Sequence, residues 1–143
     1  MEKIPYPWAY PVIWIDNTGC VEIIHGDLPM HYGDARFLKI IPEMDIKIIE
    51  KNHIVWEIIA ANVVKKMPLF SLFPKFIFER PFILEFFYGD VKFLDLRDIQ
   101  SLIINAFNKD LDCLPEERPK FNKSLLGCQD IESIFEFIGN MEE

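Results

Sequence analysis

Glycine and cysteine are scarce in this chain of 143 residues. The six glycines form neither a GxGxxG nor a Walker A pattern, so the sequence predicts no preformed phosphate-binding loop. The three cysteines, Cys20, Cys113 and Cys128, lack a CxxC spacing, which argues against a disulfide framework and a cysteine-based zinc site. We expect them to be small, buried, unreactive side chains.

Basic residues are also in deficit, with 15 Lys and Arg against 23 Asp and Glu and a net charge of −8. This balance argues against a nucleic-acid partner, because phosphate contacts need a basic face. The longest uncharged run, Ile4 to Ile15, is too short and too rich in proline to span a membrane. The N-terminus also lacks the pattern of a secretion signal, so we expect a cytoplasmic protein without a membrane partner.

Apolar residues, by contrast, are abundant. Half of the chain is hydrophobic and 14% is aromatic. A chain of this length and composition buries a sizeable core as one domain, which we place over residues 1–143.

Three pairs of β-rich segments, each joined by a short turn, predict a sheet of antiparallel hairpins in the first two-thirds of the chain. A further short strand is predicted at Phe76–Glu79. The three pairs are Val12–Ile15 with Val21–Ile24, Ile46–Glu50 with Ile54–Ile59, and Phe82–Tyr88 with Val91–Leu96.

The last third of the chain predicts two helices, with a polar loop between them. Asp95 is placed to cap the first helix and Asp130 the second, and each helix carries one apolar stripe. The stripes are Ile99, Leu102, Ile103, Ala106 and Phe107 in the first, and Ile131, Ile134, Phe135 and Ile138 in the second. A sheet followed by helices predicts an α+β fold.

The predicted strand Phe82–Tyr88 is apolar on both faces, whereas a half-solvated strand alternates apolar and polar residues. Its second face is therefore either covered by other segments or a binding surface. The aromatic, proline-rich N-terminus, with Tyr6, Trp8, Tyr10 and Trp14, has side chains that could stack on bases or sugars. An arm packed on the sheet, which would cover this face, is the favoured interpretation.

The strongest functional signal is an acidic surface around apolar side chains. Carboxylates that surround an apolar anchor suit the capture of a basic protein partner, although an acidic face also serves solubility alone. The candidate residues are Asp95, Asp98, Asp110, Leu111, Asp112, Leu114, Glu116 and Glu117.

A second candidate site is a loop with two imidazoles and two carboxylates: His25, Asp27, His31 and Asp34. These groups suit zinc, iron or manganese, or a general base. A solvated loop of the same composition is the simpler interpretation. No catalytic or cofactor motif accompanies the loop, so we expect a protein that is not an enzyme and binds no cofactor.

The closing segment Asp130-Ile131-Glu132-Ser133-Ile134-Phe135-Glu136-Phe137-Ile138 resembles the tail of some immunity proteins of bacterial contact-dependent growth inhibition systems. Size, acidity and the order of sheet and helices are also similar. The resemblance implies a cytosolic inhibitor that binds a cognate toxin, often a nuclease, and blocks its active site. The sequence leaves open whether the chain is a monomer or a homodimer that buries its second sheet face.

Overall fold

The structure is a computed structural model, and it describes residues 7–26, 32–33, 40–66, 82–110 and 114–141. Six antiparallel strands in this part of the chain form one sheet, in the order β2-β1-β4-β5-β6-β3. The strands are β1 (Val12–Ile15), β2 (Val21–Ile24), β3 (Tyr32–Gly33), β4 (Ile46–Glu50), β5 (Ile54–Lys66) and β6 (Phe82–Phe93).

Three helices follow the sheet in the described residues: α1 (Leu96–Phe107), α2 (Glu117–Leu126) and α3 (Ile131–Met141). The predicted α+β class is therefore confirmed. Helix α2 lies where the sequence predicted a polar loop. The prediction missed it because its only buried residues, Phe121 and Leu125, make too weak an apolar stripe. The ring of Phe121 stacks on Phe107 with 3.8 Å between centroids, which joins α2 to α1.

The first predicted hairpin is confirmed, with Val12 paired to Ile24 and Ile15 paired to Val21. Its turn is held by Asp16, whose Oδ1 accepts hydrogen bonds from the backbone N–H and the hydroxyl of Thr18. The second pair is confirmed as well, since β4 pairs with β5. Strand β5 continues seven residues beyond the predicted end at Ile59, to Lys66.

The third predicted hairpin is wrong, because β6 runs without a turn through Gly89 and Asp90. Residues on both sides of this dipeptide pair with the same neighbour: Tyr88 with Ile58, and Val91 with Trp56. Two residues of β6 thus oppose one residue of β5. A β-bulge absorbs the extra residue, and the Gly-Asp pair that resembles a turn is this bulge. The strand predicted at Phe76–Glu79 lies outside the described residues.

The sheet is covered on both faces by apolar clusters. On the helix side, Ile13, Ile15 and Ile49 pack with the three helices. On the far side, Trp8, Trp14 and other residues of the sheet and of the segment 41–44 form the second cluster. The prediction that the N-terminal arm packs on the sheet is thus confirmed for Trp8, which is 3% exposed.

The apolar strand Phe82–Tyr88 is partly covered and partly exposed. Phe86 is buried in the far-side cluster, where its ring meets the edge of Trp14 at 5.9 Å. Phe87 and Tyr88 remain 43% and 44% exposed. The prediction of coverage is therefore confirmed at Phe86, and a binding surface at Phe87 and Tyr88 stays a prediction.

Candidate functional site

Helix α1 separates the predicted acidic surface into two groups. Asp95 and Asp98 lie at the N-terminal end of α1, whereas Asp110 follows its C-terminal end. A helix of 12 residues is about 18 Å long, so the two groups do not form one surface. Leu111 and Asp112 lie outside the described residues.

The two aspartates at the beginning of α1 have a structural role. The Oδ1 atom of Asp95 accepts a hydrogen bond from the backbone N–H of Asp98 at 2.9 Å, which confirms the predicted helix cap. Both carboxylates interact favourably with the positive, N-terminal end of the helix dipole. Their position is explained by helix formation and needs no partner.

Asp110 is fixed where three elements meet. Its backbone carbonyl accepts a hydrogen bond from Arg118 Nη2 of α2 at 2.9 Å, and its N–H donates to the carbonyl of Phe107 at 3.1 Å. Its backbone also lies directly against Gly19 in the β1–β2 turn, at a point where a Cβ atom on Gly19 would overlap it. This glycine has a φ of +94°, which an L side chain rarely adopts.

An open groove beside Asp110 lies along β2, the outer strand at one edge of the sheet. Apolar residues supply most of its lining, and Glu22 and Asp110 supply negative charge. We call it the acidic groove; its principal residues are Val21, Glu22, Ile23, Phe107, Asp110 and Met141.

The acidic groove joins residues that are far apart in the chain. Met141, at the end of α3, is 44% exposed and forms part of the groove. Sequence reasoning missed Glu22 and Met141 because pairing of distant segments leaves no local signal. The polar Glu22 between two apolar neighbours in β2 indicated only that this residue faces solvent, as it does.

The remaining predicted residues lie at the N-terminal end of α2. Leu114 is 54% exposed, and its carbonyl accepts a hydrogen bond from the N–H of Glu117 at 2.9 Å. Glu116 and Glu117 are exposed as well. Arg118 links this end of α2 to Asp110, so the exposed leucine and the two glutamates belong to the same end of the molecule as the acidic groove.

The structure brings no metal centre together in the residues it describes. His25 is exposed just after β2, whereas Asp27, His31 and Asp34 of the predicted loop lie outside those residues. Within them, no group of three His, Cys, Asp or Glu side chains is arranged to hold a metal ion. His53, in the turn between β4 and β5, is half-buried: its ring stacks on Phe93, and Nδ1 lies 2.9 Å from the carbonyl oxygen of Leu94.

The thiol of Cys128 is not activated as a nucleophile. Burial, and secondarily the charge of Asp130, raises the pKa of the Cys128 thiol. The thiol donates a hydrogen bond to the carbonyl of Ser124 at 3.5 Å. A raised pKa disfavours the thiolate, the reactive form. Cys20 is half-buried, and Cys113 lies outside the described residues.

No helix in the described part of the chain is both long enough and apolar enough to cross a membrane. Comparisons of the chain with known protein families, with characterised proteins and with solved structures found no match. The resemblance to immunity proteins therefore remains a prediction, and the geometry of the acidic groove is the basis for assigning a function.

Proposed function

We propose that this chain is a non-enzymatic protein-binding module, most concretely an immunity protein that neutralises a basic toxin domain. The observation that carries the proposal is the acidic groove, with its apolar lining and its two acidic residues, Glu22 and Asp110. The neighbouring Leu114, Glu116 and Glu117 extend the same combination of an apolar anchor and carboxylates.

Inhibition would occur by occlusion of the toxin's active site. The carboxylates would attract a positively charged catalytic cleft and raise the association rate, an effect that weakens as salt is added. The apolar side chains Leu114 and Met141 would then exclude water from the contact and slow dissociation. The protein itself would perform no chemical step.

The segment that resembles immunity proteins, residues 130–138, contributes to the hydrophobic core and to a helix cap. Ile131, Ile134, Phe135 and Ile138 are all buried in the helix-side cluster. Asp130 and Ser133 form the N-terminal cap of α3, with a hydrogen bond of 2.7 Å from the Ser133 N–H to Asp130 Oδ1. The motif thus forms core and cap, and recognition of the partner is assigned to the acidic groove.

An affinity pull-down tests the proposal. The tagged protein is exposed to lysate of its own source at low and at high salt, and bound proteins are identified by mass spectrometry. We expect one basic partner that is retained at low salt and weakened at high salt. The binding affinity is then measured with the triple variant Asp110→Asn, Glu116→Gln, Glu117→Gln, which we expect to bind more weakly.

A matched control removes three negative charges elsewhere, with Glu43→Gln, Glu57→Gln and Glu136→Gln. These residues lie on other parts of the surface, and we expect the control to retain the wild-type affinity. Equal losses in both variants would mean that only total charge matters. Unchanged affinity in the triple variant would remove Asp110, Glu116 and Glu117 from the proposed contact.

A further inference from the structure

The outer edge of β6 is open over its C-terminal half within the described part of the chain. Strand β3 pairs only with Phe82 and Ile83, and no other described strand lies beside β6 on that side. Phe93 is 72% exposed and Val91 is 45% exposed. An exposed apolar edge of this kind is a template for another strand, and proteins usually protect it with charge or irregular backbone.

Two opposite charges bracket Val91 on this edge. Lys92 Nζ lies 3.9 Å from Asp90 Oδ2, so both side chains project from the same side of the strand. Both are largely exposed, at 64% for the lysine and 69% for the aspartate. An acidic and a basic residue placed symmetrically about one position form a self-complementary pattern.

We infer that a second copy of this chain pairs with β6 in antiparallel orientation, with the two-fold axis passing through Val91. In this register Asp90 of one copy lies opposite Lys92 of the other, twice per dimer. Opposite charges directly across an antiparallel pair are stabilising. A two-fold axis through Asp90 or Lys92 instead places like charges opposite each other, so charge selects one register.

The same register accounts for the exposed apolar residues. Val91 meets its own copy across the axis, and Phe93 lies opposite Gly89 of the other copy. There it meets the exposed side chain of Ile59, whose Cγ2 lies 3.0 Å from the position of a Cβ on Gly89. Val91, Lys92 and Phe93 pair regularly with β5 and are extended strand, whereas Gly89 and Asp90 lie in the bulge, which limits the regular pairing to a few residues. The contact is short, so we expect a dimer that dissociates on dilution.

Dimerisation through β6 would leave the acidic groove accessible. The groove lies at β2, on the opposite edge of the sheet from the β6 side. A dimer would therefore present two grooves at its two ends and bind two partner molecules. This inference does not depend on the proposed function, because a dimer would form whether or not the groove binds a toxin.

Charge reversal tests the inference through the molar mass measured by sedimentation equilibrium over a series of concentrations. We expect the wild type to dimerise and the variants Asp90→Lys and Lys92→Glu to dissociate about tenfold or more readily, because each places like charges across both pairs. An equimolar mixture of the two variants restores opposite charges, so we expect it to form a mixed dimer. Glu136→Lys and Lys120→Glu make the same charge changes at exposed helix positions and should dimerise like the wild type.

A wild type that stays monomeric at every concentration would overturn the inference and leave the β6 edge to a different partner. A mixture that fails to associate, although both variants melt like the wild type, would overturn the register. A second variant, Val91→Cys, tests the axis directly, because Cβ atoms opposite each other are about 4.5–5.5 Å apart and come within disulfide reach after a small adjustment. We expect oxidation to cross-link this variant and to leave the wild type uncross-linked; equal cross-linking of both would contradict the axis.

Discussion

Glu50 accepts a hydrogen bond of 2.6 Å from the indole N–H of Trp56, and its second carboxylate oxygen accepts one of 2.8 Å from the backbone N–H of Ala9. Glu50 is only 4% exposed. One buried carboxylate thus holds the N-terminal arm against the sheet, and Trp8 of that arm contacts Trp56 edge-on at 5.9 Å.

Replacement of Glu50 by glutamine should therefore loosen the arm. An amide offers one acceptor oxygen where the carboxylate offers two, so either Ala9 or Trp56 loses its bond. We expect unfolding free energy to fall by about 1–3 kcal/mol, the cost of a buried unsatisfied polar group. Urea unfolding followed by tryptophan fluorescence measures this loss. Glu57→Gln, the same change on the next strand, is the control, and an equal loss in both variants would contradict the role of Glu50.

Alanine at Gly19 should displace Asp110. The φ of +94° at Gly19 strains any L side chain, at a cost of about 1–2 kcal/mol, and the added Cβ overlaps the backbone of Asp110. We expect a lower melting temperature and, if the proposed function holds, weaker partner binding. Gly26→Ala is the control, since among the described residues no atom outside its chain neighbours lies within 4 Å of a Cβ at that position. A wild-type melting temperature for Gly19→Ala would contradict the close contact.

Two residues of α3 should separate stability from binding. Ile134 is fully buried, so Ile134→Ala should lower the free energy of unfolding by about 2–5 kcal/mol. Met141, which lies in the acidic groove, is 44% exposed, so Met141→Ala should leave stability nearly unchanged and weaken binding of the partner. Denaturant titration and a binding assay on both variants check this contrast. Binding by Met141→Ala at the wild-type affinity would exclude Met141 from the contact.

The cap of α3 predicts a dependence of stability on acid pH. Hydrogen bonds from the hydroxyl and the backbone N–H of Ser133 lower the pKa of Asp130 below its usual value of 3.8. The contribution of this carboxylate is therefore complete above the unfolded-state pKa, and it is lost as pH falls through the lower folded-state pKa.

The variant Ser133→Ala removes the hydroxyl bond and should move the pKa of Asp130 back towards its usual value. An NMR titration of the Asp130 carboxyl measures the shift directly, and melting temperatures between neutral and strongly acid pH measure its effect on stability. Ser101→Ala, at an exposed position of α1, should change neither. An unchanged titration of Asp130 in Ser133→Ala would show that the hydroxyl does not lower the pKa.

Local patterns in the sequence predicted the elements that depend on neighbours in the chain. The caps at Asp95 and Asp130 need only the next few residues, and the β1–β2 turn needs only Asp16 to Gly19. The bulge at Gly89 was misread because its conformation depends on pairing with β5. Helix α2 was missed because contacts with α1 stabilise it more than its own apolar pattern does.

The candidate site was only partly predictable for a related reason. Asp110, Leu114, Glu116 and Glu117 are neighbours in sequence, and their location at one end of the molecule follows from that. Asp95 and Asp98 were grouped with them, but the length of α1 separates the two sets. The contributions of β2 and α3 to the acidic groove arise from tertiary packing.

The strand β1 contributes side chains to both apolar clusters, the one on the helix side of the sheet and the one on the far side. Ile13 and Ile15 project into one cluster and Val12 and Trp14 into the other, and all four are buried. With β2 on one side and β4 on the other, the strand also has no free edge. Each of its positions is therefore enclosed, and a polar residue anywhere in this strand would lack solvent on either face. Only one layer of backbone separates the two clusters. A substitution that opens a cavity in one cluster would therefore let β1 shift and would loosen the packing of the other cluster.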